Sequence, residues 1–197
     1  MTNQDRCDAL LDQIKSRSRE EHAHALRVQQ IAEILGAADK RLSDAQRSQL
    51  KIAAGLHDVG NLSISENVLY KNGRLDFDQY EEMQTHTALA EEYLKEFDGA
   101  VELTKIVRHH HENMNGFGYP DGLKGEAIPV ESRIIHVAEA LDSMVHRRNG
   151  AKGIASHPRG ALAELQKYAR RMYDATVVAN AAAHLDDIQS IYDNTSA

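Results

Sequence analysis

Hydrophobic residues recur at intervals of three and four along most of the chain, which is the spacing of one buried helix face. The clearest stripe is Ile134, Val137, Ala138, Leu141 and Val145. Alanine, leucine, glutamate, glutamine, arginine and lysine fill many other positions, and the chain has only three prolines. Since these residues favour helices, the pattern predicts an all-α fold.

Helix-end signals divide this pattern into segments. Ser43 and Gln46 have the spacing of a capping box, Asp76 is a suitable N-cap, Gly36 a suitable C-cap, and Pro129 suits a first helical position. The Asn- and Gly-containing stretch 149–153 predicts a mobile connection. Together these signals predict helices over residues 20–35, 43–60, 76–97, 100–111, 129–146, 159–172 and 175–192.

The size of the chain suits one domain, because 197 residues with 42% hydrophobic content can bury a substantial core. Leu10, Leu11 and Ile14 form a short apolar stripe near the start. We therefore expect an N-terminal helix over residues 1–17 and a functional domain over residues 18–197.

Charge and cysteine content narrow the class of protein. The net charge of −7 and the pI of about 5.9 argue against a nucleic-acid polymer or an anionic membrane as partner, since both attract clustered lysine and arginine. The sequence has no apolar run of about 18 residues and no signal-peptide pattern. Cys7 is the single cysteine and cannot form an intramolecular disulfide. These features predict a cytoplasmic protein.

Potential ligands occur where several predicted helices end. His57 and Asp58 close one helix, His86 lies on the next, and the stretch HHHENMNGFGYP from residue 109 begins with three histidines. Side chains from the ends of several helices can converge on one metal site. Glu139 lies on the apolar side of its helix, where an ionised carboxylate needs a compensating cation.

The chemistry of these side chains indicates a site for more than one metal ion. His57 and Asp58 would lie about 100° apart on a helix, so they are poorly placed to chelate one ion side by side. They could serve two neighbouring ions, with Asp58 as the bridge. Imidazole and carboxylate ligands without thiolate suit iron or manganese, with zinc or nickel possible.

An ordered set of motifs resembles the HD-GYP domain. The set comprises HDVG at residues 57–60, His86, HHE at residues 110–112 and the loop GFGYPDGLKG at residues 116–125. It ends with RI at residues 133–134 and VAE at residues 137–139. The resemblance covers about residues 18–185. It implies a helical HD-superfamily phosphohydrolase with two or three divalent metal ions that hydrolyses cyclic di-GMP or a related cyclic dinucleotide to linear pGpG or GMP.

The resemblance also implies roles for individual residues. Asp58 and His57 would be catalytic as well as ligands, and Glu139 stands where the family usually has aspartate. Glu20 and His24 match positions that hold a third ion in some members, and Tyr119 would recognise substrate. In the mechanism we expect, a hydroxide bridging the metals attacks phosphorus. The implied metal ligands are His57, Asp58, His86, His110, His111 and Glu139, with Glu20 and His24 for a third ion.

Substrate contacts are less well matched to the family. Asn61 replaces a lysine that faces a substrate phosphate, and Asn115 replaces an aspartate of the loop. We nominate four nearby cations for the second phosphate or the bases, with Arg148 favoured because guanidinium binds phosphate through two hydrogen bonds. These cations are Arg147, Arg148, Lys152 and Lys124.

Other interpretations follow from the same residues. The departures at Asn61, Asn115 and Glu139 also suit a catalytically impaired domain that binds nucleotide or a protein partner, the partner contacting the GYP loop. A different phosphoester substrate is a third interpretation. Glu20 could be part of an ordinary solvated helix face, and Tyr119 could simply pack beside Pro120. The remaining histidines are expected to be solvent exposed: His22, His109, His136, His146, His157 and His184.

Overall fold

A computed structural model describes residues 1–146 and 157–195 of the chain. This part contains eleven α-helices and two short 3-10 helices, and no strand, which confirms the predicted all-α fold. The α-helices are α1 (Asn3–Arg17), α2 (Arg19–Ala38), α3 (Asp44–Gly55), α4 (Glu66–Leu69), α5 (Phe77–Gln84), α6 (His86–Leu94), α7 (Ala100–Arg108), α8 (Val130–Val145), α9 (Pro158–Tyr168), α10 (Ala175–Ala183) and α11 (Leu185–Thr195). The 3-10 helices are Val59–Ser63 and Gly125–Ala127.

Helices α2 and α8 lie at the centre of the core. Helix α2 packs against α1, α3 and α8. The predicted apolar stripe of α8 is buried except for Val145, which is partly buried, and Ile134 and Leu141 are fully inaccessible to solvent. Helix α1 adds Cys7, Leu10 and other residues to the same core. The predicted boundary between residues 17 and 18 falls where α1 ends and Ser18 caps α2. The division into two parts there stays a prediction.

Helix α3 starts where the sequence predicted but ends earlier. Ser43 and Gln46 form the predicted capping box. The helix then ends at Gly55, not near Gly60, and residues 56–58 form a turn that leads into the first 3-10 helix. His57 and Asp58 therefore follow α3 instead of lying on it, so the helical angle predicted between them does not apply.

The helix predicted over residues 76–97 is divided at Thr85. The hydroxyl groups of Thr85 and Thr87 donate to the carbonyl oxygens of Glu82 and Gln84, at 2.6 and 3.0 Å. Threonine hydroxyls that bond back to helix carbonyls compete with the helix ladder and bend helices. As a result, His86 is the first residue of α6.

The segment 175–192 is likewise two helices, which meet at His184.

Within the described ranges, no helix combines the length and the apolar character needed to cross a membrane. The connection predicted at residues 149–153 lies outside the described residues.

A buried ion network joins the two central helices. Asp142 of α8, which is inaccessible to solvent, accepts two hydrogen bonds from the Arg27 guanidinium of α2, at 2.6 and 2.9 Å. His24, one turn before Arg27, bonds the same carboxylate through Nδ1 at 2.7 Å. Burial raises the pKa of Asp142, but the hydrogen bonds from His24 and Arg27 outweigh this effect and lower it overall. The carboxylate is therefore ionised at neutral pH.

We expect Asp142→Ala to lower the free energy of unfolding by about 3–5 kcal/mol, because Arg27 would stay buried without its carboxylate partner. Urea denaturation followed by circular dichroism measures this change. Glu92→Ala is the matched control, since it removes an exposed ion pair with Lys95 and should leave stability nearly unchanged. Equal losses in the two variants would contradict the role assigned to Asp142.

Candidate metal centre

Three histidines share one local arrangement at helix ends. His57 follows α3, His86 opens α6 directly after α5, and His110 follows α7. In each case the ring Nδ1 bonds the backbone carbonyl of the residue three positions earlier, at 2.8, 2.6 and 2.6 Å respectively. The last carbonyls of a helix have no partner within the helix, so they are available to these imidazoles.

This arrangement determines the tautomer of each ring. A carbonyl oxygen only accepts hydrogen bonds, so Nδ1 carries a proton, and in the neutral ring Nε2 keeps the lone pair. For His86 and His110, Nε2 is buried without a hydrogen-bond partner among the described residues. A buried lone pair of this kind suits a metal ion, and metal-bound histidines typically donate their other nitrogen to a carbonyl or carboxylate.

The histidine rings form one continuous cluster. Ring centroids lie 5.4 Å apart for His57 and His110, 5.4 Å for His86 and His110, and 4.1 Å for His110 and His111. Burial, followed by repulsion from neighbouring histidines, holds the pKa of both His110 and His111 well below the usual value. Both rings are therefore neutral at pH 7, which is the state that binds a metal.

Two carboxylates face this cluster. Asp58 has one oxygen 3.6 Å from Nε2 of His57 and the other 3.5 Å from Nε2 of His86. Glu139 reaches in from α8, with Oε2 at 3.9 Å from Nε2 of His110 and 3.7 Å from Nδ1 of His111. The carboxylate of Asp58 thus approaches His57 and His86, and that of Glu139 approaches His110 and His111.

Two overlapping groups of side chains could each hold an ion. In the first group one ligand atom from each of Asp58, His86, His110 and His111 lies within 4.8 Å of all the others, and in the second the same holds for His24, His57 and Asp58. Asp58 belongs to both. The donors are imidazole and carboxylate, and their buried lone pairs fit divalent cations such as iron, manganese or zinc.

Gly60 brings Asp58 and His86 together. A Cβ atom at Gly60 would lie 1.9 Å from the carbonyl oxygen of His86, so only glycine permits this approach of the 3-10 helix to α6. Arg17, the last residue of α1, donates to the carbonyl oxygens of Asn61 and Ile64, at 2.5 and 2.7 Å. The segment that follows Asp58 is therefore in contact with both α1 and α6.

The GYP loop packs directly on the histidines. The ring of Tyr119 stacks on His111, with centroids 4.7 Å apart and planes at 28°. A Cβ at Gly118 would lie within 2.5 Å of the backbone of residues 111–113, so this glycine also permits a close approach. Burial, followed by the negative charge of Glu139, raises the pKa of Tyr119, so its hydroxyl remains protonated.

Asp121 anchors the far end of this loop to α7. Its carboxylate accepts two hydrogen bonds from Arg108, both 2.8 Å long, and one from His109 at 2.9 Å. The Arg108 hydrogen bonds are the main cause that lowers the pKa of Asp121. Its backbone N–H donates to the buried Glu112 at 2.8 Å. These contacts hold Tyr119 beside the histidine cluster.

A cavity of about 330 Å³ opens above the cluster. Its walls combine the ligand candidates with side chains of α5, α8 and the GYP loop. The lining residues are Asp58, Met83, His86, His111, Tyr119, Glu139, Ser143 and His146.

Several predicted site residues do not join this cluster. Glu20 is exposed, whereas its neighbour Glu21 is buried and accepts a hydrogen bond from Tyr70 at 3.4 Å. Lys124 is exposed and does not line the cavity. Asn61 is buried, and its side-chain amide has no hydrogen-bond partner in the described part of the chain. Arg147, Arg148 and Lys152 lie outside the described residues.

The sequence interpretation missed some residues near the site. His109, expected to be exposed, is buried between Lys105 and Asp121. His136, also expected to be exposed, lies between His111 and Tyr173, and burial lowers its pKa to about 4. Asp142 could have been recognised in the sequence as a buried carboxylate, because it lies three positions after Glu139 on the same apolar helix. A carboxylate buried there likewise needs a cationic or hydrogen-bonding partner. His146, at the cavity wall, had no such signal.

These features define a helical domain with a candidate metal centre at its helix ends. An HD domain model matches residues 8–177, and the chain belongs to this family. It is 33% identical over 146 residues to 3′3′-cGAMP-specific phosphodiesterase 2 of Vibrio cholerae, covering 71% of this chain and 27% of that protein. It is 38% identical over 120 residues to the cyclic di-GMP phosphodiesterase response regulator RpfG of Xanthomonas campestris. This match covers 60% of this chain and 30% of that protein.

The chain thus spans about a third or less of the length of these relatives. Among solved structures, the HDG"Y"P protein Bd1817 of Bdellovibrio bacteriovorus superposes with a TM-score of 0.65 at 18% identity, covering 84% of this chain and 52% of that one. This likeness shows a shared fold. The resemblance to HD-GYP domains that the motifs predicted is confirmed.

Gly60→Ala should strongly reduce metal content, because the new methyl group would push the segment bearing Asp58 away from His86. Elemental analysis of protein purified with manganese measures ions per chain. Ser63→Ala is the matched control, since Ser63 lies exposed in the same 3-10 helix. Gly60→Ala protein that retains the metal content of the unsubstituted chain would contradict the packing argument.

Proposed function

We propose that this domain is a metal-dependent phosphodiesterase that hydrolyses a cyclic dinucleotide. The observation that carries the proposal is that Asp58 belongs to both ligand groups and lines the same cavity as Tyr119. Two relatives whose names specify 3′3′-cGAMP and cyclic di-GMP support this class of substrate. The chain covers only part of those proteins, so the substrate remains part of the proposal.

The proposed ligand sets follow the two groups. His86, His110, His111 and Asp58 would hold one ion with Glu139 beside it. A second ion would lie between Asp58, His57 and His24. When bound, divalent metals supply Lewis acidity: they lower the pKa of water and offset charge on phosphoryl oxygens. Iron or manganese is proposed from the mixture of imidazole and carboxylate ligands.

A third ion depends on the orientation of Glu20, which is exposed. It would require Glu20 to turn inward from solvent towards His24. The buried Glu21 lies next to it in sequence and interacts with Tyr70 instead. We therefore base the proposal on two ions.

The cavity residues provide further functions in this proposal. Tyr119 keeps its proton and lies above His111, so its hydroxyl can donate a hydrogen bond to a phosphate oxygen. His110 and His111 are neutral and keep their lone pairs for ligation. Asp142 anchors His24 through Nδ1, which orients that ring towards His57, 5.2 Å away between centroids. Lys124, Arg147, Arg148 and Lys152 remain proposed cations for the rest of the substrate.

A protein partner at the GYP loop is a further part of the proposal. Phe117 at the tip of this loop is 86% exposed. Exposed aromatic side chains of this size are enriched at protein interfaces. The cytoplasmic location expected from the sequence likewise stays a prediction.

We expect protein reconstituted anaerobically with ferrous iron or manganese to convert cyclic di-GMP or 3′3′-cGAMP to linear dinucleotide or mononucleotide. Chromatography of the products measures turnover. Asp58→Ala should lose at least roughly 100-fold in activity, since it removes the ligand shared by both groups. His184→Ala is the matched control, because this histidine lies between α10 and α11, is partly exposed and does not line the cavity.

The second candidate function is a signalling module without catalysis. The observation that favours it is the buried Asn61 at the position where the family has a phosphate-facing lysine. Full metal occupancy without product from either cyclic dinucleotide would contradict the phosphodiesterase proposal and favour this alternative.

A further inference from the structure

Helix α5 has no buried residue, yet it carries two large aromatic side chains that are largely exposed to solvent. Phe77 is 72% exposed and Tyr80 51% exposed. The helix is held by a capping box between Asp76 and Gln79 and by packing against α4 and α6. Stability of the domain therefore gives no reason for the two rings to be aromatic.

The aromatic residues of α5 lead into the cavity. Phe77, Tyr80 and Met83 are spaced by three, so each adjoins the next on the helix surface, in a row that rises about 9 Å and winds about 120° around the helix. Met83 lines the cavity. The aromatic strip, Phe77 and Tyr80, is thus continuous with the candidate site.

The size and charge of the surroundings indicate what would cover this strip. A cavity of about 330 Å³ is too small to enclose two nucleotides, so a cyclic dinucleotide with a phosphate near Asp58 must extend beyond the rim. Helix α5 has three acidic residues and no basic one, FDQYEEMQ. Its surface therefore disfavours phosphate, whereas a neutral purine ring suits an exposed aromatic face.

We propose that the aromatic strip is a nucleobase-stacking surface, with Tyr80 against one purine of the cyclic dinucleotide and Phe77 extending the platform outward. This inference rests on the proposed function and adds a substrate-binding site to it. Base–aromatic stacking needs only a free ring face and tolerates different bases. The strip would thus contribute affinity for a purine dinucleotide without distinguishing adenine from guanine.

A fluorescence experiment tests the contact directly, because the chain has no tryptophan. Tyr80→Trp places a single reporter on the strip of metal-loaded protein. Titration with a phosphorothioate analogue of cyclic di-GMP, which resists hydrolysis, should quench its emission saturably. Dimethyl phosphate, which has no base, should not. Val101→Trp is the control, since Val101 is exposed at the start of α7, about 12 Å or more from the histidines that follow that helix.

Affinity provides a second readout. In equilibrium dialysis, Tyr80→Ala should bind the analogue roughly fivefold to a hundredfold more weakly, whereas Tyr80→Phe should retain affinity because it keeps the ring face. Unchanged affinity in Tyr80→Ala, together with no quenching in Tyr80→Trp, would overturn the stacking surface while leaving the proposed function intact. Failure of the unsubstituted metal-loaded protein to bind the analogue would instead contradict the proposed function, and this inference with it.

Discussion

The hydrogen bond from a histidine Nδ1 to a carbonyl at a helix end is the interaction on which the candidate centre depends. It occurs at His57, His86 and His110, each with the carbonyl three residues earlier. The contact engages a carbonyl in the last turn of a helix, where the helical i+4 partner is missing, and orients the imidazole lone pair away from it. The geometry of the site therefore arises from how α3, α5 and α7 end, and a metal ion would complete it without having to create it.

The charges of the centre follow from the same packing. Helix α8 presents Glu139 and Asp142 on its inner side, and each carboxylate meets a different environment. Asp142 meets Arg27, an internal cation that keeps it ionised. Glu139 faces His110 and His111, which are neutral at pH 7, so a bound cation would balance its charge. This difference explains why one carboxylate suits a structural role and the other suits a ligand role.

The sequence predicted the parts of this site that depend on local pattern. Glu139 was recognisable as an acidic residue on an apolar helix face, and the Ser43–Gln46 capping box correctly located the start of α3. The break at Thr85 was not predictable from hydrophobic spacing, because it depends on side-chain bonds to carbonyls that continuous helices also expose. Which of Glu20 and Glu21 points into the protein depends on how α2 is rotated about its axis against its neighbours. That rotation is a tertiary property, which periodicity along one helix does not determine.

The most direct test of this account is the tautomer of the three helix-end histidines in metal-free protein. Long-range proton–nitrogen correlation spectra at pH 7 show which imidazole nitrogen carries the proton. We expect a proton on Nδ1 of His57, His86 and His110, with Nε2 unprotonated in each. A proton on Nε2, or rapid averaging between the two nitrogens, would show that the helix-end carbonyls do not orient these rings and would contradict a centre formed by the fold.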